Sequence, residues 1–109
     1  MLLTPFAADA KDDLTVKFVA AYNKEYGETP NQFAADAYDA IYAIKEAAEK
    51  AGVKSDMDAS TICDAMKKSM TEITVNGLTG EGMTWTPEGE PNKAPKAVKI
   101  VNGAYTAME

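Results

Sequence analysis

The sequence predicts an α+β chain in which three helices are followed by short strands and a C-terminal β-hairpin. Up to about residue 70, apolar side chains recur at helical spacing. Beyond residue 71, glycine, threonine, proline and β-branched residues become frequent, which favours strands and turns. Asn102-Gly103, the pair best suited to a two-residue hairpin turn, separates two alternating segments near the end.

The first helix is predicted over residues 10–26. Asp9, Asp12 and Asp13 supply cap candidates and acids for the positive end of the helix dipole. Gly27 is placed to end the helix in a left-handed conformation. The apolar positions that form one face are Leu14, Phe18, Val19, Tyr22 and Tyr26.

The second helix carries the strongest helical pattern, over residues 32–51. Asn31 is a good N-cap, and Gly52 is placed to end the helix. The face expected to be apolar consists of Phe33, Ala37, Ile41, Ile44 and Ala48, widened by Ala34 and Tyr38. The side expected to be solvated carries Asp36, Asp39, Glu46, Glu49 and Lys50.

A third, weaker helix is predicted to begin near Asp58 or Ser60. Ile62, Met66 and Met70 share one of its faces. Cys63 flanks that face and is the only cysteine, so no disulfide can form within the chain. Because no base accompanies it, we expect Cys63 to be a small buried residue.

Short strands are predicted after the third helix. Ile73 and Val75 alternate with threonine, as do Met83 and Trp85, which is typical of half-buried strands. In the final hairpin, a two-residue loop at 102–103 would pair Ile100 with Tyr105 and Val101 with Ala104. Val98, Ile100 and Tyr105 would then share one face of the hairpin.

The composition narrows the classes of function. A net charge of −6 without a single arginine argues against nucleic-acid binding, which relies on clustered basic residues. The absence of histidine removes the usual base, metal ligand and activator of a nucleophile. We therefore expect neither enzymatic activity nor a cofactor.

Three groups of residues are better explained by structure than by chemistry. The acids Asp9, Asp12 and Asp13 lack the alternating ligands of a calcium loop, so a solvated helix cap explains them better than a metal site. Residues 77–82 are rich in glycine but lack a phosphate-binding lysine, so we expect a loop between strands. Asp36 and Asp39 are expected on a solvated helix face rather than in acid–base catalysis.

Phe33 is the candidate ligand-binding residue. It lies in the first turn of the second helix, where free backbone N–H groups and an aromatic ring could both contact a ligand. The sequence pattern alone favours a core contact at the N-terminus of that helix over a ligand contact.

Three ordered stretches resemble the C-terminal part of type I periplasmic solute-binding proteins, in particular branched-chain amino-acid receptors of ABC importers. Residues 18–30 are similar to the family's helix that ends in Tyr-Gly with a nearby proline. Residues 33–40 are similar to its Phe-Ala-x-x-x-Tyr-Asp-Ala helix start. Residues 79–89 and the hairpin at Asn102-Gly103 are similar to its Thr-Gly strand-turn and final Asn-Gly hairpin.

The resemblance implies that the chain is a fragment of a two-lobed α/β fold of the periplasmic-binding-protein type. Residues 1–95 would belong to the first lobe, and residues 96–109 would return to the second. Ligand capture by lobe closure would involve no bond making. Phe33 corresponds to the family's aromatic ligand contact. An amino acid and an ABC permease are the partners implied for the full-length protein.

The resemblance also implies a periplasmic or extracellular, lipid-anchored full-length protein, although the N-terminus of this chain lacks a signal peptide. Two alternatives stay open at this point. One is a sensory or regulatory ligand-binding domain of the same fold, and the other is a small α+β interaction domain without a ligand.

By the resemblance, the helices would pack on a sheet outside this segment, so the isolated chain is expected to form a homodimer, with the hairpin reaching a neighbour.

Overall fold

The computed structural model describes residues 1–108, which form three helices and three short strands. The helices are α1 (Asp13–Tyr26), α2 (Gln32–Ala51) and α3 (Ala59–Met70). The strands are β1 (Leu2–Thr4), β2 (Lys96–Val101) and β3 (Ala104–Ala107), which form one antiparallel sheet in the order β1-β2-β3. The predicted helices and hairpin are confirmed.

Each helix begins after a side-chain cap. The carboxylate of Asp12 accepts a hydrogen bond from the Thr15 N–H at 2.9 Å, so α1 begins at Asp13 and not at residue 10 as predicted. Asn31 caps α2 and Asp58 caps α3 in the same way. The caps satisfy N–H groups that have no partner within their own helix.

The hairpin has the predicted turn and register. Asn102 and Gly103 both adopt positive φ, at 51° and 79°, as a type I′ turn requires. Ile100 is opposite Tyr105 and Val101 is opposite Ala104. Strand β1 was not predicted, because three residues are too short for an alternating pattern. It pairs antiparallel with β2.

Residues 71–95 are mostly irregular. Val75 and Met83 exchange two backbone hydrogen bonds, both at 2.9 Å, but they form an isolated bridge instead of two strands. A second bridge joins Trp85 to Pro91, whose backbone has no N–H to extend a ladder. The predicted alternation is nevertheless seen in the burial, because Ile73, Val75 and Met83 are all buried.

Two small clusters of apolar side chains form the core, and α2 contributes to both. Ala43 and Ala47 pack with buried residues of the 73–83 segment and with half-buried Met66, Met70 and Trp85. Ala35 packs with Phe6 and Leu78. The ring of Phe18 in α1 lies 6.0 Å from that of Phe6 and 5.0 Å from that of Tyr38 in α2, and these aromatic contacts join the two helices.

The predicted buried face of α2 is wrong for this chain. The buried side chains are small or polar: Ala35, Asp39, Ala43 and Ala47. By contrast, Phe33, Ile41 and Ile44 are 69, 67 and 53% exposed. The small residues let α3 and residues 73–83 approach α2 closely, so the large apolar residues lie on the opposite side.

The prediction for Cys63 is also wrong, because this residue is exposed. Met66 and Met70 form the inner face of α3 as predicted, and both pack against the first core cluster. Cys63 lies at the edge of that face, nearer the start of the helix. Within residues 1–108, no helix is both long enough and apolar enough to cross a membrane.

We expect Asp12→Ala to lower the free energy of unfolding by about 1 kcal/mol at neutral pH through loss of the cap. The hydrogen bond from the Thr15 N–H holds the pKa of Asp12 below its usual 3.8. Since the folded-state pKa is depressed, this stabilisation is present above pH 3.8 and is lost as the pH falls through the folded-state value. Urea unfolding of both proteins at pH 7 and pH 3 measures the difference.

Asp64→Ala is the matched control, because Asp64 is exposed and forms only a weak pair with Lys67 in α3. Equal stability of the wild type and Asp12→Ala at pH 7 would contradict the assigned cap.

Candidate ligand-binding site and family

Phe33 is the second residue of α2, and its ring is 69% exposed. It is therefore not a core contact within the described chain. Asn31 uses its side chain to cap the Ala34 N–H, and its carbonyl accepts from the Ala35 N–H. The earlier N–H groups of the first turn have no partner within the helix. An exposed ring beside such groups can contact a small polar ligand.

The start of α2 is held by the N-terminal segment. Thr4 Oγ1 lies 2.7 Å from Gln32 Oε1, next to Phe33 in the chain. The same hydroxyl accepts a hydrogen bond from the Phe6 N–H at 3.3 Å, and Phe6 is buried against Ala35. Because Thr4 is the last residue of β1, these contacts connect the sheet to the helix turn that carries Phe33.

Asp39 is the most completely bonded side chain of α2, and the prediction of a solvated face is wrong for it. It is 4% exposed. Its Oδ1 accepts from the Leu78 N–H at 2.8 Å. Its Oδ2 accepts from the N–H and from the Oγ1 of Thr79, at 2.8 and 2.7 Å. Three donors thus satisfy the buried carboxylate and attach the 77–79 loop to the helix.

Gly77 is required by this contact. A Cβ atom at Gly77 would overlap the carboxylate of Asp39, so no larger residue fits without moving the loop or the helix. Residues 77–82 form the loop that was predicted, between the bridged residues Val75 and Met83. Since the carboxylate occupies the N–H groups of residues 78 and 79, these groups cannot bind a phosphate.

The remaining acids of the sequence analysis have structural contacts. Asp36 pairs with Lys93 Nζ at 2.8 Å, and this pair attaches the segment around Lys93 to α2. Asp9 accepts a hydrogen bond from the Ala107 N–H, 3.0 Å from Oδ2, at the end of β3. Asp12 caps α1. Asp9 and Asp12 therefore act in different places instead of forming one cluster.

Two open cavities lie on either side of Asp39, and neither includes Phe33. One, of about 230 Å³, is bordered by the Asp36–Lys93 pair and by Trp85. The other, of about 430 Å³, is lined by Tyr38 and Tyr42 among others. The hydroxyl groups of these two tyrosines lie 3.5 Å apart, and this contact raises the pKa of Tyr38.

A repeating spacing could have revealed the buried role of Asp39. Ala35, Asp39, Ala43 and Ala47 recur every fourth residue, so one narrow stripe of α2 carries only small or short side chains. A stripe of this kind permits close packing, and an aspartate within it needs donors from elsewhere in the chain. The Gly77-Leu78-Thr79 loop provides these donors. Because the loop lies about forty residues from Asp39 in the sequence, a pattern within one helix could not predict this contact.

We expect Asp39→Ala to lower the free energy of unfolding by about 3 kcal/mol. The change leaves the buried N–H groups of Leu78 and Thr79 without acceptors, at about 1–3 kcal/mol for each such group. Asp36→Ala removes a carboxylate three residues away that is paired but partly exposed, and should cost at most about 1 kcal/mol. Urea unfolding of both variants provides the comparison, and equal losses would contradict the assigned role of Asp39.

The sequence model of the periplasmic binding protein family matches residues 1–104. Among solved structures, a protein described as a branched-chain amino acid ABC transporter from Rhodospirillum rubrum is 29% identical, with a TM-score of 0.70. That match covers 98% of this chain and 30% of the other. No curated protein matches the chain.

Two further structures show the same fold at lower identity. A leucine binding protein from Thermotoga maritima is 24% identical, with a TM-score of 0.73 over 98% of this chain and 29% of that one. An ABC transporter substrate-binding protein from Desulfitobacterium hafniense, in complex with Leu, is 23% identical, with a TM-score of 0.74 over 94% and 29%.

This chain spans about 30% of the length of the solved proteins that it matches. Its three helices, short strands and hairpin are a fragment of the periplasmic-binding-protein fold, and the resemblance found in the sequence is confirmed. The chain belongs to the periplasmic binding protein family.

Proposed function

We propose that this chain is the C-terminal part of a receptor that captures an amino acid of the branched-chain type for an ABC importer. The observation that carries the proposal is the family match over residues 1–104. The likeness to a protein described as a branched-chain amino acid ABC transporter supports the choice of ligand class. An ABC permease is the proposed partner, and the proposed location is periplasmic or extracellular with a lipid anchor.

The proposed mechanism is capture by closure of two lobes, without a chemical step. The buried carboxylate, that of Asp39, is already engaged by three hydrogen-bond donors of the same chain. Asp36 is engaged with Lys93. The chain also contains no histidine. These observations favour binding over catalysis.

Phe33 is the residue of this chain that we propose contacts the ligand. Its exposure, its place in the first turn of a 20-residue helix and its fixed neighbour Gln32 support the assignment. A ring on a rigid helix start is well ordered before binding, so little conformational entropy is lost when a ligand packs against it.

We propose that residues 1–95 belong to the first lobe and residues 96–109 to the second. The pairing of β1 with β2 supports a junction here, because it joins the start of the first part to the start of the second. A small sheet of this kind can bend while the helices move as a body.

The test is calorimetry of the receptor that contains this chain, titrated with each of the standard amino acids. We expect saturable binding of leucine, isoleucine or valine, and little binding of charged amino acids. Binding of a different class of small solute would replace the proposed ligand and favour the sensory or regulatory alternative. The absence of any small-molecule binding would favour an interaction domain.

In that receptor, we expect Phe33→Ala to weaken ligand binding while the fold persists. Loss of an aromatic contact of this kind should cost about 1–3 kcal/mol, or roughly 5- to 150-fold in affinity. Calorimetry measures the affinity, and thermal unfolding checks the fold.

Tyr26→Ala is the matched control for Phe33→Ala. Tyr26 is 65% exposed at the end of α1, so its loss removes a comparable exposed ring without changing the affinity. An unchanged affinity of Phe33→Ala, or its unfolding, would refute the ligand contact.

A further inference from the structure

The chain consists of two packed parts, a sheet and a group of helices. Strand β2 packs against β1 and β3, and α2 packs against α3. The ring of Phe18 joins α1 to Tyr38 of α2 at 5.0 Å. The main chain passes from the sheet to the helices through residues 5–12 and returns to the sheet through residues 84–95. The relative position of the two parts therefore depends on these two passages.

The two passages meet the sheet side by side, and each has a proline at that point. Thr4 is opposite Lys96 in the last pair of β1 and β2, so Pro5 and Pro95 occupy the next opposed positions. Because proline has no N–H to donate, the β-ladder cannot continue past this pair. The position of the sheet relative to the helices therefore depends more on side-chain contacts near the two prolines than on backbone pairing.

Both passages are attached to one face of the first two turns of α2. At the start of the first passage, the Thr4 hydroxyl donates a hydrogen bond to Gln32 Oε1 at 2.7 Å. In the second passage, Lys93 Nζ lies 2.8 Å from Asp36 Oδ1. Gln32 and Asp36 are four residues apart, so they are neighbours on one face of the helix. Phe33, the proposed ligand contact, lies between them in the sequence.

The Asp36–Lys93 pair is the shortest ion pair within residues 1–108 and the least exposed. The side chains of Lys93 and Asp36 are 26 and 38% exposed. The other ion pairs are at least 3.2 Å long, and their side chains are at least 45% exposed. A further contact between the two parts, from the Ala107 N–H of β3 to Asp9, is also exposed. Because a partly buried pair is screened less by salt, Asp36–Lys93 is the contact best suited to restrain a passage.

We propose that Asp36 and Lys93 are positioning residues, which set the angle between the sheet and α2 before a ligand binds. Thr4 and Gln32 act in the same way on the first passage. Together the two contacts limit the positions of the sheet relative to Phe33. This restriction speeds ligand capture, because it raises the fraction of ligand-free molecules that are ready to bind. The inference rests on the proposed function and refines its boundary, since β1 moves with β2 and β3.

The first test measures the rates of leucine binding to the receptor that contains this chain, by stopped-flow fluorescence. We expect Lys93→Met to lower the apparent association rate constant about 3- to 10-fold, because the loss of a restraint reduces the fraction of receptor that is ready to bind. The dissociation rate constant should change less than about two-fold, since the bound form is held by contacts with the ligand itself. Methionine keeps an unbranched stem in the wall of the cavity that Lys93 borders, so circular dichroism should show unchanged helix content.

The charge-exchanged variant Asp36→Lys/Lys93→Asp should restore the association rate constant, which a general loss of stability would not allow. The matched control is Lys45→Met, which breaks an exposed pair with Glu49 on the same helix and should leave both rate constants unchanged. Phe33→Ala, which removes a ligand contact, should instead act mainly on dissociation. An association rate constant of Lys93→Met equal to that of the wild type would overturn the proposal, as would failure of the exchange to restore it.

The second test needs no ligand and measures the angle directly, by double electron–electron resonance in the ligand-free receptor. Spin labels replace the exposed residues Lys45 of α2 and Lys99 of β2, with Cys63 and any other cysteine changed to serine. We expect Lys93→Met and Thr4→Val to broaden the distribution of distances, whereas Thr4→Ser, which keeps the hydroxyl, should not. Leucine binding without this broadening would refute the positioning contacts alone. Broadening in a receptor that binds no amino acid would refute the proposed ligand and support the contacts.

Discussion

The buried carboxylate of Asp39 is the interaction on which the arrangement of this chain depends. It joins the middle of α2 to residues 78 and 79, which are about forty positions away in the sequence. With the loop held there, Val75 and Met83 meet and the first core cluster closes over Ala43 and Ala47. Leu78 is placed in the second cluster by the same contact. Both core clusters thus depend on the carboxylate of Asp39, which accepts hydrogen bonds from three donors.

The two faces of α2 follow from this constraint. Close approach of the 77–79 loop requires short side chains on the inner stripe, so the large apolar residues of the helix must point outward. Burial of the exposed apolar area of Ile41 and Ile44 would stabilise the fold by about 25 cal/mol per Å², and this chain does not gain that free energy. Ile41 and Ile44 are therefore exposed because they lie on the side of α2 opposite the inner stripe.

The parts of the fold that local chemistry determines could be predicted from the sequence. Asn31, Asp58 and Gly52 mark helix ends by side-chain caps and a left-handed residue, and Asn102-Gly103 sets the hairpin register within a few residues. The buried face of α2 could not be predicted. An apolar pattern shows which side of a helix is hydrophobic, but it does not show whether another part of the same chain packs against that side. The donors to Asp39 were missed for a related reason, since they are distant in the sequence.

The candidate site at Phe33 depends partly on local sequence, which could be predicted, and partly on contacts between distant residues, which could not. The type of residue at position 33 and its place in the helix could be predicted, and its exposure follows from the inward turn of Ala35 and Asp39 on the same helix. Phe33 lies less than two turns from Asp39, so the contact that orders the core also fixes the direction in which α2 begins. Thr4 adds a second restraint beside Gln32. The ring of Phe33 therefore lies between two restraints, the Asp39 contact on one side along the helix and Thr4 on the other.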